Sequence, residues 1–213
     1  MSQIVVVDYG MGNLRSVAKA IEHVAADQQV LISSSAEDIA NADRVVFPGQ
    51  GAARDCMREL DQRGLRGVIL QAAAEKPFLG ICMGMQVLLS HSEENDGVDC
   101  LGLYQGQVRY FGTDLQGAQG EKLKIPHMGW NQLKQTVEHP LWQGIKNNSR
   151  FYFVHSYYMD PADKELVAGT TEYGIEFVSA IARDKVFAVQ CHPEKSAQDG
   201  LQLLKNFSQW NGA

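Results

Sequence analysis

The chain has 213 residues, 45% hydrophobic and 21% charged, with a net charge of −6 at pH 7. That length suits a single domain spanning 1–213 with a full core, and the composition is ordinary for a globular protein. The acidic balance, with no cluster of Lys or Arg, argues against a nucleic-acid partner, and no stretch approaches the ~20 apolar residues of a membrane span.

The N-terminus passes directly into Ile4-Val-Val-Val7, with no basic and then apolar leader. Cys56, Cys82, Cys100 and Cys191 are widely spaced and form no C-x-x-C pair. In a chain this long the pattern predicts free thiols in a reducing cytoplasm, with no disulfide framework and no metal site.

Residues 4–8 are a continuous apolar run ending in Asp8, as expected for a strand buried on both faces. Tyr9-Gly-Met-Gly-Asn13 is a loop, and 14–26 has helical spacing through Leu14, Val17, Ala18, Ile21 and Val24. A strand at 30–33, a short helix at 36–40 and a strand at 44–47 follow. The last of these runs into Pro48-Gly-Gln-Gly51, and 52–60 and 65–74 read as helical. The β-α-β-α-β-α-β order predicts an α/β fold, a mostly parallel central sheet flanked by helices. Gly10-x-Gly12 is not a dinucleotide loop, because Arg15 occupies the third glycine position and no acidic residue ends the second strand.

Residues 77–81 read as a short apolar strand and 83–90 as a helix, with Cys82 on the turn and Gly80 and Gly84 flanking it. This is the cysteine form of the nucleophile elbow, a sharp strand-to-helix turn that lifts the reactive side chain above the sheet edge. A helix N-terminus there would favour the thiolate, and the Met83 amide would face an oxyanion on an acyl group carried by Cys82. The alternative is a buried structural Cys between two packing glycines.

The second half has short segments at 106–111, 130–134, 151–154, 166–170 and 177–182, a hairpin turn at 183–185, and a strand at 186–191. These predict antiparallel pairing. Residues 112–120, with three glycines and no periodicity, are expected to be a mobile loop. Residues 197–210 read as an amphipathic helix with Leu201, Leu204 and Phe207 on its apolar face.

The strand at 186–191 runs into His192-Pro-Glu194. In extended chain, residues two apart project to the same side, so Glu194 can orient the imidazole of His192 as the base for Cys82. Cys191 then points away and belongs to the core. The Gly49-Gln50-Gly51 turn, at the carboxyl edge of a neighbouring strand, is either a second oxyanion donor or a plain turn into a helix. His23 and His91 read as solvated and His139 as a turn residue, while His127 and His155 are open between function and packing.

The set Tyr9-Gly-Met-Gly-Asn13, Pro48-Gly-Gln-Gly51, Gly80-Ile-Cys-Met-Gly-Met-Gln86, Pro126-His-Met-Gly-Trp-Asn131, Phe153-Val-His-Ser-Tyr157 and His192-Pro-Glu-Lys-Ser196 resembles the class I glutamine amidotransferases. Within them it is most similar to the glutaminase subunits that serve histidine biosynthesis, and the resemblance spans essentially the whole chain. Gln50 and Met83 stand where those subunits often carry Val and Leu. The resemblance implies a flavodoxin-like fold and hydrolysis of glutamine by Cys82, His192 and Glu194, without a cofactor. It implies an oxyanion site of Gly49, Gln50, Gly51 and Met83, and glutamine-binding positions Gln86, His155, Ser156 and Tyr157. It also implies a heterodimer with a (β/α)₈ cyclase subunit, which takes the ammonia to make imidazole glycerol phosphate and aminoimidazole carboxamide ribotide. Asn13, Met128, Trp130, Tyr152 and Lys195 match positions at that interface. A glutaminase serving anthranilate or pyridoxal phosphate synthesis, a regulatory protein on the same fold, and a thiol hydrolase acting alone are the rival readings.

Overall fold

In the computed structural model, which describes residues 2–117 and 119–213, the first half of the chain alternates strand and helix. Its elements are β1 (Gln3–Val7), α1 (Leu14–Val24), β2 (Gln29–Ser33), α2 (Ala36–Asn41), β3 (Arg44–Gly49), α3 (Ala53–Gln62), α4 (Arg66–Glu75), β4 (Phe78–Cys82) and α5 (Met83–Gln86). The second half supplies β5 (His91–Ser92), β6 (Val98–Asp99), β7 (Gly106–Tyr110), β8 (His127–Gln135), β9 (Ser149–His155) and β10 (Tyr157–Pro161). It closes with β11 (Val167–Glu172), β12 (Glu176–Arg183), β13 (Val186–Val189) and α6 (Ala197–Gln209).

The sheet runs in the order β2-β1-β3-β4-β13-β12-β10-β7-β5-β6, with β11 joining β12 to β8 and β8 pairing β9. From β2 to β13 the pairing is parallel. Beyond β13 it is antiparallel, apart from β5 against β7. The expected division between a parallel half and an antiparallel half is what the chain adopts.

Strand alternation distributes the core over two faces. Val5 and Val7 pack with Ile39 of α2, Leu60 of α3 and Ile69 of α4. Ile4 and Val6 pack with Val17 and Ile21 of α1 and with Leu204 and Phe207 of α6. Each such side chain, removed from water, contributes about 1.5–3 kcal/mol before conformational entropy is counted. The parallel strands are thereby clamped from both sides, and their carboxyl ends form one rigid edge.

Four local expectations change. The helix after Cys82 is a single turn, because the amides of Leu88 and Leu89 reach back only three residues, to the carbonyls of Met85 and Gln86. The strand entering His192 stops at Val189. β10, which pairs with β7 from Tyr157 to Pro161, falls outside the strands expected from the sequence. On α6 the buried leucines are Leu203 and Leu204, with Leu201 only half-buried. The stretch 112–120 is anchored by buried Leu115, whose carbonyl accepts from Leu123, and by a bridge between Gln116 and Lys122. Ala118, within that stretch, lies outside the described residues.

Candidate active site

β4 ends on Cys82 at φ 56°, ψ −112°, a conformation that L-residues rarely adopt. Such a residue costs on the order of 1–3 kcal/mol and persists only where its surroundings over-determine it. They do so here. A Cβ on Gly84 would overlap the carbonyl oxygen of Phe47, and one on Gly80 would lie 2.8 Å from the Gly84 oxygen and from the Ala188 Cβ. With α5 only four residues long, the helix dipole is small, so activation of the thiol falls to side chains.

The base arrives on the neighbouring strand. β13 runs parallel to β4 with Val189 opposite Ile81, which delivers the chain to the Cys82 edge. His192 then opens a 3₁₀ turn, Pro193–Lys195, and within that turn His192 Nδ1 donates to Glu194 Oε1 at 2.9 Å. The expected pairing is present, although a tight turn makes it and not extended chain. The turn is pinned to β9: the His192 amide donates to the Tyr152 carbonyl, and Ser196 Oγ accepts from the Tyr152 amide, both at 2.9 Å.

Both side chains of the pair are buried, at 3% and 1% exposure. Nδ1 is committed to Glu194, so Nε2 is the nitrogen left for the nucleophile, and it has no hydrogen bond of normal geometry. Burial opposes a charge on His192, but a Cys82 thiolate and the Glu194 carboxylate together outweigh it and raise the imidazole to about 10. A proton passed from Cys82 to Nε2 is therefore held there by both neighbours.

A cavity of about 380 Å³ opens beside Cys82 and His192. Gln50, Gly51, Met83 and Gln86 line it from the parallel edge, and His155, Ser156, Tyr157 and Lys195 from the antiparallel half. Gly49 lies behind, paired in register with Cys82. Its size is that of a small-molecule site.

Residues 5–210 match the family model described as glutamine amidotransferase class-I. The chain belongs to the class I glutamine amidotransferases. It is 59% identical to a Hydrogenovibrio crunogenus protein named imidazole glycerol phosphate synthase subunit HisH, over 98% of this chain and 97% of that one. It is 58% identical to subunit HisH 1 of Pseudomonas aeruginosa, over 100% and 99% of the two chains. Among solved structures, the glutaminase domain of Trypanosoma brucei CTPS superposes with a TM-score of 0.66 at 18% identity, covering 100% of this chain and 96% of that one. At that identity the likeness concerns the fold.

In this amidotransferase the loop before α1 braces the turn at Gly49–Gly51. The Tyr9 hydroxyl, bonded to Cys56 Sγ at 3.1 Å, fills the space where a side chain on Gly49 would go, and Met11 Cε does the same at Gly51. Burial raises the thiols of Cys56, Cys100 and Cys191, consistent with core roles. Among the described residues no group of three His, Cys, Asp or Glu side chains is placed to hold a metal ion, and no helix is long and apolar enough to cross a membrane.

His127 and His155 prove to be buried and joined, Nδ1 to Nε2 at 3.0 Å, and His155 Nδ1 donates to the Tyr157 carbonyl at 2.7 Å. Burial lowers them to about 4 and about 3, so both are neutral near pH 7. His139 caps a turn and packs on Phe187, with ring centroids 4.6 Å apart.

Of the residues matched to the interface, Met128, Trp130, Tyr152 and Lys195 lie on β8, β9 and the turn that follows His192. Met128 and Trp130 are 62% and 43% exposed and share a face of the strand. Trp130 is opposite Tyr152, and Lys195 Nζ lies 5.8 Å from the centre of the Tyr152 ring. Asn13, at the N-cap position of α1, is exposed and makes no capping bond with its side chain.

Two further residues carry no signal in their own sequence neighbourhood. Glu94 lines the cavity, and its carboxylate accepts from the Ala53 amide at 2.7 Å. Gln190, fully buried, donates through Nε2 to Cys82 Sγ at 3.6 Å. Glu94 sits in an acidic stretch and Gln190 just past an apolar strand, so neither announces its target by spacing.

Proposed function

We propose that this amidotransferase is the glutaminase subunit of an imidazole glycerol phosphate synthase, passing ammonia to a separate cyclase subunit. The observation that carries the chemistry is the buried Cys82, His192 and Glu194 set at the carboxyl ends of adjacent parallel strands. Near full-length identity to chains of that name supports the choice of pathway.

In this reading His192 Nε2 takes the Cys82 proton and the thiolate attacks the side-chain amide carbon of glutamine. As the C–S bond forms, the carbonyl pair moves onto oxygen, which faces the amides of Met83 and of the Gly49-Gln50-Gly51 turn. Met83 is the first residue of α5, so its N–H has no intrahelical acceptor and is free for this task. Collapse re-forms the C=O bond and breaks C–N while His192 protonates the nitrogen, releasing ammonia and leaving a γ-glutamyl thioester. Water deprotonated by His192 then breaks the C–S bond, the proton returns to sulfur, and glutamate leaves.

Gln86, His155, Ser156 and Tyr157 border the substrate, and the half-buried Glu94 carboxylate is the acceptor for its α-ammonium group. Met128, Trp130, Tyr152, Lys195 and Asn13 form the surface for the cyclase. Four free, buried thiols fit a reducing cytoplasm.

Glutamate release is the test, measured with this chain alone and then with a cyclase subunit and its nucleotide ligand, with Cys82→Ala as the blank. Strong, Cys82-dependent stimulation is expected. Full activity that ignores the cyclase would remove the coupled role and keep the glutaminase.

A further inference from the structure

A single run of hydrogen bonds ends on the nucleophile. The Tyr157 carbonyl can only accept, so Gln86 presents its amide nitrogen there, at 3.0 Å. The same nitrogen donates to Gln190 Oε1 at 2.8 Å, which uses both of its hydrogens. Gln190 cannot then turn over: its oxygen is held by Gln86, and its nitrogen is the atom 3.6 Å from Cys82 Sγ. The Gln190 backbone is fixed as well, its amide donating to the Ser179 carbonyl at 2.9 Å.

We propose that Gln190 is a further catalytic residue of this site, donating a side-chain N–H to the Cys82 sulfur and stabilising it as the thiolate. This rests on the reading of Cys82 as the nucleophile. A neutral thiol is a weak acceptor, whereas a hydrogen bond to an anion is roughly twice as strong. The bond therefore favours proton transfer from Cys82 to His192 Nε2. It fades as the C–S bond forms and returns when thioester hydrolysis hands the electron pair back to sulfur. Packing alone does not call for a glutamine. Gln190 is fully buried, where an aliphatic side chain would fill the space without desolvating an amide.

Alkylation of Cys82 by iodoacetamide across a pH series tests this without turnover of glutamine, with Cys82→Ala as the blank. In Gln190→Met, which keeps the length and removes the donor, alkylation on the acid side should slow by roughly tenfold, the midpoint rising by about one pH unit. The kcat should fall, whereas the KM also reports Gln86, whose amide loses its Gln190 acceptor in this variant. Gln190→Glu, which sets a carboxyl group against the sulfur, should shift the midpoint in the same direction and further. Should neither variant fold, the isotope-labelled side-chain amide of Gln190 in the unmodified protein is expected to titrate with Cys82, and to lose that transition in Cys82→Ala. Superimposable alkylation profiles, or a Gln190 resonance indifferent to Cys82, would overturn the proposal. A shifted profile in a chain that never releases glutamate would instead leave the hydrogen bond standing and remove the glutaminase.

Discussion

Gly49 and Cys82 face each other directly across the parallel pairing of β3 with β4. The register sets the start of the Gly49-Gln50-Gly51 turn level with Cys82, and the space beside Gly49 is already filled. A Cβ on Gly49 would lie 2.9 Å from the Met83 Cβ and run into the Tyr9 hydroxyl. Gly49→Ala is expected to destabilise the fold by about 1–3 kcal/mol, as overpacking does. It should also lower kcat by more than its effect on KM, read by steady-state glutamate release with the cyclase present.

Cys82 occupies a backbone conformation that glycine adopts freely. Cys82→Gly and Cys82→Ala should both abolish glutamate release, yet differ in stability. The glycine variant should be the more stable by about 1 kcal/mol, because it alone relieves the strain at φ 56°. Urea midpoints of the two proteins decide this. Equal midpoints would mean that the elbow stores no strain.

Glu94 has two duties, capping α3 through the Ala53 amide and facing the cavity. Glu94→Gln keeps an acceptor for the cap and removes the charge. KM for glutamine should rise by roughly tenfold with kcat less affected, in line with loss of one charge-assisted contact. Alkylation of Cys82 by uncharged iodoacetamide should be unchanged.

The buried histidines set opposite pH limbs. Burial holds His127 and His155 at about 4 and about 3, below the ordinary 6.5, so acid drives protons onto the unfolded chain first. Their contribution is complete above about pH 6.5 and is lost as pH falls through 4 and 3. His192, raised to about 10, contributes fully below about 6.5 and loses its contribution as pH rises toward 10. Thermal melts across pH should show the acid limb flattened in His127→Gln and the alkaline limb flattened in His192→Gln.

The residues legible in the sequence are those whose chemistry is local. Cys82 between Gly80 and Gly84, and His192 two residues from Glu194, meet partners within a turn, so spacing alone exposes them. Parallel β1, β3 and β4 were legible for a similar reason, since apolar runs buried on both faces are a property of the run itself. Glu94 reaches Ala53, and Gln190 reaches Cys82, across the fold, and nothing in their own neighbourhoods encodes that meeting. The roles of His127 and His155 were undecidable from spacing because the pair is made by strand register, His127 opposite His155. The length of α5 also escaped, because the apolar residues after Gln86 are buried whether or not they are helical.

Cys82, the Gly49-Gln50-Gly51 turn and the His192 turn hang from β4, β3 and β13, three neighbouring strands. The exposed Met128 and Trp130 belong to β8, which within the sheet reaches those strands by way of β11 and β12. Heredity can therefore edit the two separately. If the proposed cyclase surface is right, substitutions on β8 can re-address it to a different recipient while the three strands are inherited unchanged.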